Sequence, residues 1–356
     1  MSETENATSF AIAGRQVGGG APTYLIAEIA QAHDGSLGTA HAHVEAAAEA
    51  GADAIKFQTH IAASESTRDE PFRVAFSRQD ATRYEYWQRT GFTEDQWAGL
   101  AEHARDRGLA FLSSPFSREA VEMLRWIGVP AWKVASGEVG TADLIDDMVA
   151  GGEPVLLSTG MSGFDDIDAA VATLRAGKTP FAVLQCPSRY PTAYEEVGLN
   201  VIGELAARYG CPAGLSDHSG KVFPGLAAIA RGAAVVEVHL TLTRRAFGPD
   251  VPVSLTVEEL ALLAEARDAV HAMDAHPVDK DAAAVRLAGM RTLFGRSLAP
   301  REALAPGTVL TAAMLVPKKP ASGIPIAALQ EIVGRRVTRP VPADRLLSWE
   351  DIDVAG

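Results

Sequence analysis

Cysteine is nearly absent from this chain: Cys186 and Cys211 are the only two in 356 residues. Two cysteines build no disulfide framework, so a reducing, cytoplasmic compartment is expected. Basic residues are outnumbered, 32 Lys and Arg against 45 Asp and Glu, leaving a net charge of −13. That balance argues against nucleic acid as a partner, because a phosphate backbone needs a basic face. It leaves room for a small anion, which a local pair of lysines can hold. No apolar run approaches the roughly 20 residues that span a bilayer. The opening MSETENATSF has neither the basic nor the apolar region of a secretory leader. No membrane partner is therefore expected. Hydrophobic residues make up 47% and charged residues 22%, a globular composition sufficient for one large core with an appendage, or for two ordinary domains.

Short runs rich in Val, Ile and Leu recur along the first three quarters of the sequence. They are YLIAEIA (24–30), DAIKFQT (53–59), AFLSSP (110–115), AWKVAS (131–136), PVLLST (154–159), FAVLQC (181–186), AGLSDH (213–218) and VVEVHL (235–240). Helical stretches fit between them, such as the Ala-rich LGTAHAHVEAAAEAGA with Gly51 placed as a stop, and SREAVEMLRWIGV with Ser117 as its N-cap. Eight strands alternating with helices argue for a (β/α)8 TIM barrel, a fold of about 250 residues. A doubly wound open sheet competes, but no Gly-rich dinucleotide fingerprint follows the first strand. Residues 60–96 form a long insert rich in Arg and aromatics, of the kind that lies over a barrel active site. Residues 262–290 read as the last barrel helix and a helical linker. The Pro- and Gly-rich tail reads as a small β-rich domain, so domains are expected at 1–285 and 286–356, with RRVTRP (335–340) a solvated strand.

Chemistry in a barrel sits where the strands end, and these strands end in polar residues. Lys56 and Lys133 are buried by pattern, which is costly unless a carboxylate or an anionic ligand pairs with them. With Ser114, Ser136, Ser158 and Ser216 nearby they form a candidate phosphate or carboxylate pocket; ion pairs with Glu28 and Glu138 are the plain alternative. His218 and His239 close neighbouring strands at one height, and two imidazoles a strand apart can share a divalent metal of the Mn, Fe, Co, Zn or Mg type. A pair of hydrogen-bonded core histidines is the competing reading. Cys186 reads as a small buried strand residue, and His41 and His43 as exposed. Trp87 and Trp97 either cover the site or anchor the insert.

The segments IAEIAQAHDGSLGTAHAHVEAAAEAGADAIKFQT, FLSSPFS, WKVASGE, LLSTGMS, LQCPSRYPT, GLSDHSG, VEVHLTL and FGPDVPVSL resemble, in order, the sialic acid synthases. The tail is similar to their SAF (antifreeze-like) domain. The resemblance implies condensation of phosphoenolpyruvate with an N-acylated mannosamine-type sugar, giving a nine-carbon 2-keto-3-deoxy acid and phosphate. It implies His218 and His239 as ligands of Mn2+ or Mg2+. It implies Lys56, Ser114, Lys133, Ser136, Ser158 and Ser216 around phosphoenolpyruvate, and Gln58, Ser188, Tyr190 and Asp250 toward the sugar. Glu28 and Glu138 become acid/base candidates, and a domain-swapped homodimer is implied. Lys319, in KKPASGIP, stands where the family carries an Arg that touches the N-acyl group, and Asp34, Val238, Val251 and Arg189 also depart from the pattern. These departures leave the identity of the sugar open, with legionaminic- or pseudaminic-type products or a less usual sugar acid all in range. A Schiff-base carbon–carbon lyase using Lys133 and a non-catalytic sugar-binding homologue are the other readings.

Overall fold

A computed structural model describes residues 9–353; the polar start at 1–8, read above as lacking a leader, lies outside the described residues. The eight expected strands form. They are β1 (Tyr24–Ala30), β2 (Ala54–Thr59), β3 (Ala110–Pro115), β4 (Trp132–Val134), β5 (Val155–Ser158), β6 (Phe181–Gln185), β7 (Ala213–Asp217) and β8 (Val235–Leu240). All pair in parallel in the order β3-β2-β1-β8-β7-β6-β5-β4, a nearly closed barrel. Most of these strands are buried along their whole length, so they read as continuous apolar runs rather than alternating ones.

One main helix follows each strand: α1 (Leu37–Glu49), α2 (Glu94–Asp106), α3 (Arg118–Ile127), α4 (Ala142–Val149), α5 (Phe164–Ala176), α6 (Leu199–Tyr209), α7 (Val222–Ala230) and α8 (Val257–Asp274). Four of their starts are set by side-chain caps. Ser36 accepts from the Thr39 N–H, Ser117 from Ala120, and Thr93 and Thr256 form reciprocal capping boxes with Gln96 and Glu259. Gly51, at φ +80°, turns the chain out of α1 as its position implied. Ala40, His43, Val44 and Ala47 of α1 share one buried helical stripe. The expectation that His41 and His43 are exposed is therefore corrected. His43 is buried with its Nδ1 2.8 Å from the Thr39 carbonyl, and His41 pairs with His103.

The 60–96 insert carries two short helices, Ala62–Glu65 and Arg83–Thr90. Ala62, Tyr86 and Trp87 make a small apolar cluster there, backed by Phe72, Phe76 and Tyr84. Among the described residues no helix is long and apolar enough to cross a membrane.

The chain divides into two compact units after Ala275, ten residues before the boundary expected from the sequence. The second unit opens with helices Lys280–Arg286 and Ala288–Phe294. An antiparallel pair follows, β9 (Ser297–Pro300) with β10 (Leu315–Lys318). Its core is Leu298, Leu304, Leu310, Leu315, Ile324, Ile332, Val337, Val341, Leu347 and Ile352. Residues 335–340 make isolated bridges rather than a solvated strand: Val337 is buried, and Arg339 bonds the Asp351 carboxylate.

Candidate active site

Strand register brings the polar residues into layers. Glu28 of β1 lies opposite His239 of β8 on one side and Lys56 of β2 on the other. Glu237 of β8 pairs with Ser216 of β7, and Gln58 with Ser114. These side chains open into a cavity of about 310 Å³ at the C-terminal ends of the strands, the face where barrel chemistry is placed.

The cavity floor is an interlocked set of charges. Lys56 pairs directly with Glu28 and lies 3.4 Å from the Ser114 hydroxyl. Lys133 donates to the Ser158 Oγ at 2.7 Å. Glu237 Oε1 accepts from the Ser216 hydroxyl at 2.9 Å and sits 3.9 Å from Lys56 Nζ and 3.7 Å from Lys133 Nζ. Burial drives the Glu28 carboxyl up, to about 7, against the pull of Lys56. Burial drives Lys133 down, and the neighbouring Lys56 charge adds to that. Burial would also lower Lys56, but Glu237 and Glu28 outweigh it and hold it above the usual lysine value. Glu28 Oε1 and Glu237 Oε2 are buried acceptors without a hydrogen-bond donor among the described residues.

The two histidines stand with ring centres 5.2 Å apart. Nδ1 of His218 faces the Pro187 carbonyl at 2.8 Å, so it carries the proton, and Nε2 accepts from the Tyr190 hydroxyl at 2.9 Å. A carbonyl bond of this kind fixes the tautomer and directs the Nε2 lone pair, as a metal ligand requires. Burial opposes a charge on His218, but the Cys186 sulfur 4.0 Å away and the Pro187 carbonyl outweigh it and raise its pKa; a metal ion would take the place of that proton. Burial and the His218 and Lys56 charges hold His239 well below the ordinary histidine value, hence neutral. The donor set therefore fits a divalent metal. Among the described residues no third His, Cys, Asp or Glu joins them, so water or substrate would complete the shell.

Gln58, Ser136, Ser188, Tyr190 and Asp250 also line the cavity. Glu138 does not: it lies on the short turn Ser136–Glu138, where its carboxylate accepts from the Thr141 hydroxyl at 3.0 Å. Lys319 belongs to the second unit, its ammonium 5.4 Å above the Phe294 ring. The two insert tryptophans separate. Trp87 lines the cavity, stacked 3.6 Å from His60, whereas Trp97 on α2 is core, packed against Phe57, Phe92 and Phe111. Cys186 is buried as expected but also reaches the cavity.

A model of the NeuB family matches residues 43–278, and a SAF domain model matches residues 295–353. The chain belongs to the NeuB family. Human (Homo sapiens) N-acetylneuraminate-9-phosphate synthase is 32% identical over 96% of this chain and 96% of its own length. N,N'-diacetyllegionaminic acid synthase of Legionella pneumophila is 29% identical, covering 93% and 94%. The solved structure of N-acetylneuraminic acid synthetase from Leptospira borgpetersenii superimposes with a TM-score of 0.70 at 28% identity, over 81% of this chain and 97% of that one.

For this NeuB-family chain, sequence pattern marked Glu237 as a polar strand end without giving it a role, and missed most of one wall. Glu237 is two residues before His239 on the same strand, so period-two geometry alone put it on the same inward face. The wall residues Phe72, Arg73, Val74, Phe76 and Arg83 come from the insert, where no periodicity marks an inward side chain.

Proposed function

We propose that the chain condenses phosphoenolpyruvate with an N-acylated mannosamine-type aldose, giving a nonulosonic acid and phosphate. One observation carries this reading: Lys56, Lys133 and the Ser114, Ser158 and Ser216 hydroxyls converge in a single cavity with two imidazoles fit for a divalent metal. The named relatives, synthases of such acids, support the class of reaction.

Lys56 and Lys133 supply charge for the phosphate and carboxylate of phosphoenolpyruvate, and Ser114, Ser136, Ser158 and Ser216 supply hydrogen bonds. Gln58, Ser188, Tyr190 and Asp250 face the sugar. A divalent ion, Mn2+ or Mg2+, held by His218 and His239 would act as a Lewis acid on the acceptor carbonyl. C3 of phosphoenolpyruvate adds to the open-chain aldehyde carbon, leaving positive charge at C2. Water adds at C2 as Glu28, poised near neutrality, takes its proton. The tetrahedral intermediate then expels phosphate by C–O cleavage, while the lysines stabilise the charge that develops on it.

The partners are thus phosphoenolpyruvate and an amino sugar in a cytoplasmic setting, with no nucleic acid and no membrane. The assembly is a homodimer exchanging its SAF unit. Exposed Val285, Leu287, Met290, Leu293 and Phe294 give the linker helices an apolar face that a second copy would cover. Lys133, held below the ordinary lysine value, favours a second reading as a Schiff-base amine; borohydride trapping with pyruvate tests it. The test of the leading reading is phosphate release from phosphoenolpyruvate with Mn2+, with and without EDTA, against N-acetylmannosamine and its 6-deoxy diacetamido relatives. EDTA-sensitive release that depends on one sugar is the expected result. Release indifferent to both sugar and chelator would sink the reading.

A further inference from the structure

His60 follows directly on β2, two residues after Gln58, and lines the active-site cavity. No step of the proposed reaction falls to it, yet the fold holds it on every side. Its ring lies flat between Trp87 of the insert and Phe116 after β3, with ring centres 3.6 and 4.3 Å away and interplanar angles of 6° and 13°. Nδ1 is 2.6 Å from Oε1 of Glu65, and Nε2 is 3.2 Å from Oε1 of Gln58. Glu65 is held in turn, its Oε2 accepting from the Ile61 N–H at 3.2 Å. The His60 and Glu65 side chains are only 4% and 8% exposed, so bulk water competes little for these contacts.

The partners settle where the protons go. The side-chain carbonyl of Gln58 only accepts, so Nε2 carries a proton. Nδ1 and Glu65 then share a second one, either as a carboxyl donating to a neutral ring or as an ion pair. A ring with its single proton on Nδ1 would set a lone pair against the Gln58 oxygen, which is repulsive. The backbone carbonyl of Gln58 is itself tied down, accepting from Gln31 Nε2 at 3.1 Å. With both oxygens of Gln58 held, its NH2 end is left for the cavity that the residue lines.

Resting on the reading above, we infer that His60 and Glu65 are positioning residues. Together they fix the Gln58 amide in one of its two orientations, so that Gln58 meets the acceptor sugar as a donor to a sugar oxygen rather than as an acceptor. An amide free to turn over would offer either end. The insert serves the site here by clamping the imidazole through Trp87, without touching the sugar at that point.

The experiment compares wild type with His60→Phe, Glu65→Leu, Glu65→Gln, Gln58→Ala and the His60→Phe/Gln58→Ala double variant. Phosphate release gives KM and kcat for N-acetylmannosamine, or for the diacetamido relative that wild type accepts, and KM for phosphoenolpyruvate. His60→Phe keeps a ring between Trp87 and Phe116 and removes both nitrogens. Losing one oriented hydrogen bond predicts a sugar KM raised about 10-fold, with less change in kcat because uniform binding is what is lost. In the Gln58→Ala background the same substitution adds less than about twofold, since its effect runs through Gln58. Glu65→Gln, which can still donate to Nδ1, recovers most of what Glu65→Leu loses. A rise of equal size in both backgrounds, a phosphoenolpyruvate KM that moves with the sugar KM, or a Glu65→Gln no better than Glu65→Leu would each overturn the inference. Nitrogen-15 spectra of the histidine rings read the tautomer without substrate, with His60 assigned by its loss in His60→Phe or its shift in Glu65→Gln. A protonated Nε2 sustains the inference, and a bare Nε2 rejects it. If wild type turns over no sugar, the parent reading fails and this spectrum alone decides on His60.

Discussion

Lys56 shows how far a single buried side chain is defined by its partners. It is almost wholly buried, paired with Glu28 and near Glu237. Lys56→Met would leave the Glu28 carboxylate without its cation. Breaking a buried pair from one side costs about 3–5 kcal/mol, and the lower end is expected because Glu28 can take up a proton. Thermal unfolding of the variant reads that loss, and the KM for phosphoenolpyruvate should rise as well. His239 has the opposite character: it is neutral, and no hydrogen bond ties it to the protein among the described residues. His239→Ala should leave the melting temperature nearly unchanged and remove more than about a hundredfold of metal-dependent phosphate release. Full turnover in that variant with the metal chelated would refute its role. Both residues could be read from sequence because each sits at the end of an apolar run, where a charged or imidazole side chain has no packing reason to be. Glu237 could be read the same way, two positions from His239. Arg73 could not, since an arginine in a polar insert is indistinguishable from a solvated one until the insert folds over the cavity.

At the level of elements, strand β7 depends on close backbone approach. A methyl group at Gly214 would come within 2.1 Å of the Val235 carbonyl oxygen of β8 and 2.9 Å of Leu184. Backbone cannot yield as a side-chain tip can, so Gly214→Ala should cost about 3 kcal/mol or more and lower expression of folded protein. Urea unfolding with an unchanged slope checks it. The strands were legible because a parallel sheet covered on both sides needs continuous apolar runs. The capped helices were legible because Ser and Thr caps have a local chemical signature. The insert was legible only as an insert. Trp87 and Trp97, ten residues apart, have opposite fates because Thr93 starts a helix between them that turns Trp97 into the core. Glu138, adjacent in sequence to cavity-lining residues, is carried aside by a single short turn.

At the scale of the whole molecule, the second unit carries an acid-sensitive group of its own. Asp351, with its side chain fully buried in the second unit, receives the Ser348 N–H and the Arg339 and Arg345 guanidinium groups. Burial alone would raise this carboxyl; those donors outweigh it and hold it at about 2, against an ordinary 3.8. The folded value is depressed, so its stabilising contribution is complete above about pH 4. It is lost as pH falls toward about 2. The contribution is on the order of 1–2 kcal/mol after allowing for the half-exposed arginines. Asp351→Asn should flatten the acid unfolding profile in that window, followed by near-UV circular dichroism. At neutral pH, light scattering should give the mass of two chains, and replacing Leu293 and Phe294 with serine should shift it toward one.

The sequence by itself determined the barrel, its appended unit and the chemical character of the cavity floor. These follow from period, caps and the cost of burying charge, all of which act over a few residues. Tertiary structure alone decided which carboxylate bridges the two lysines, which tryptophan reaches the cavity, and which arginines of the insert line it. Those outcomes depend on contacts between residues dozens of positions apart, and burial and ion pairing take their value from the neighbours that folding supplies.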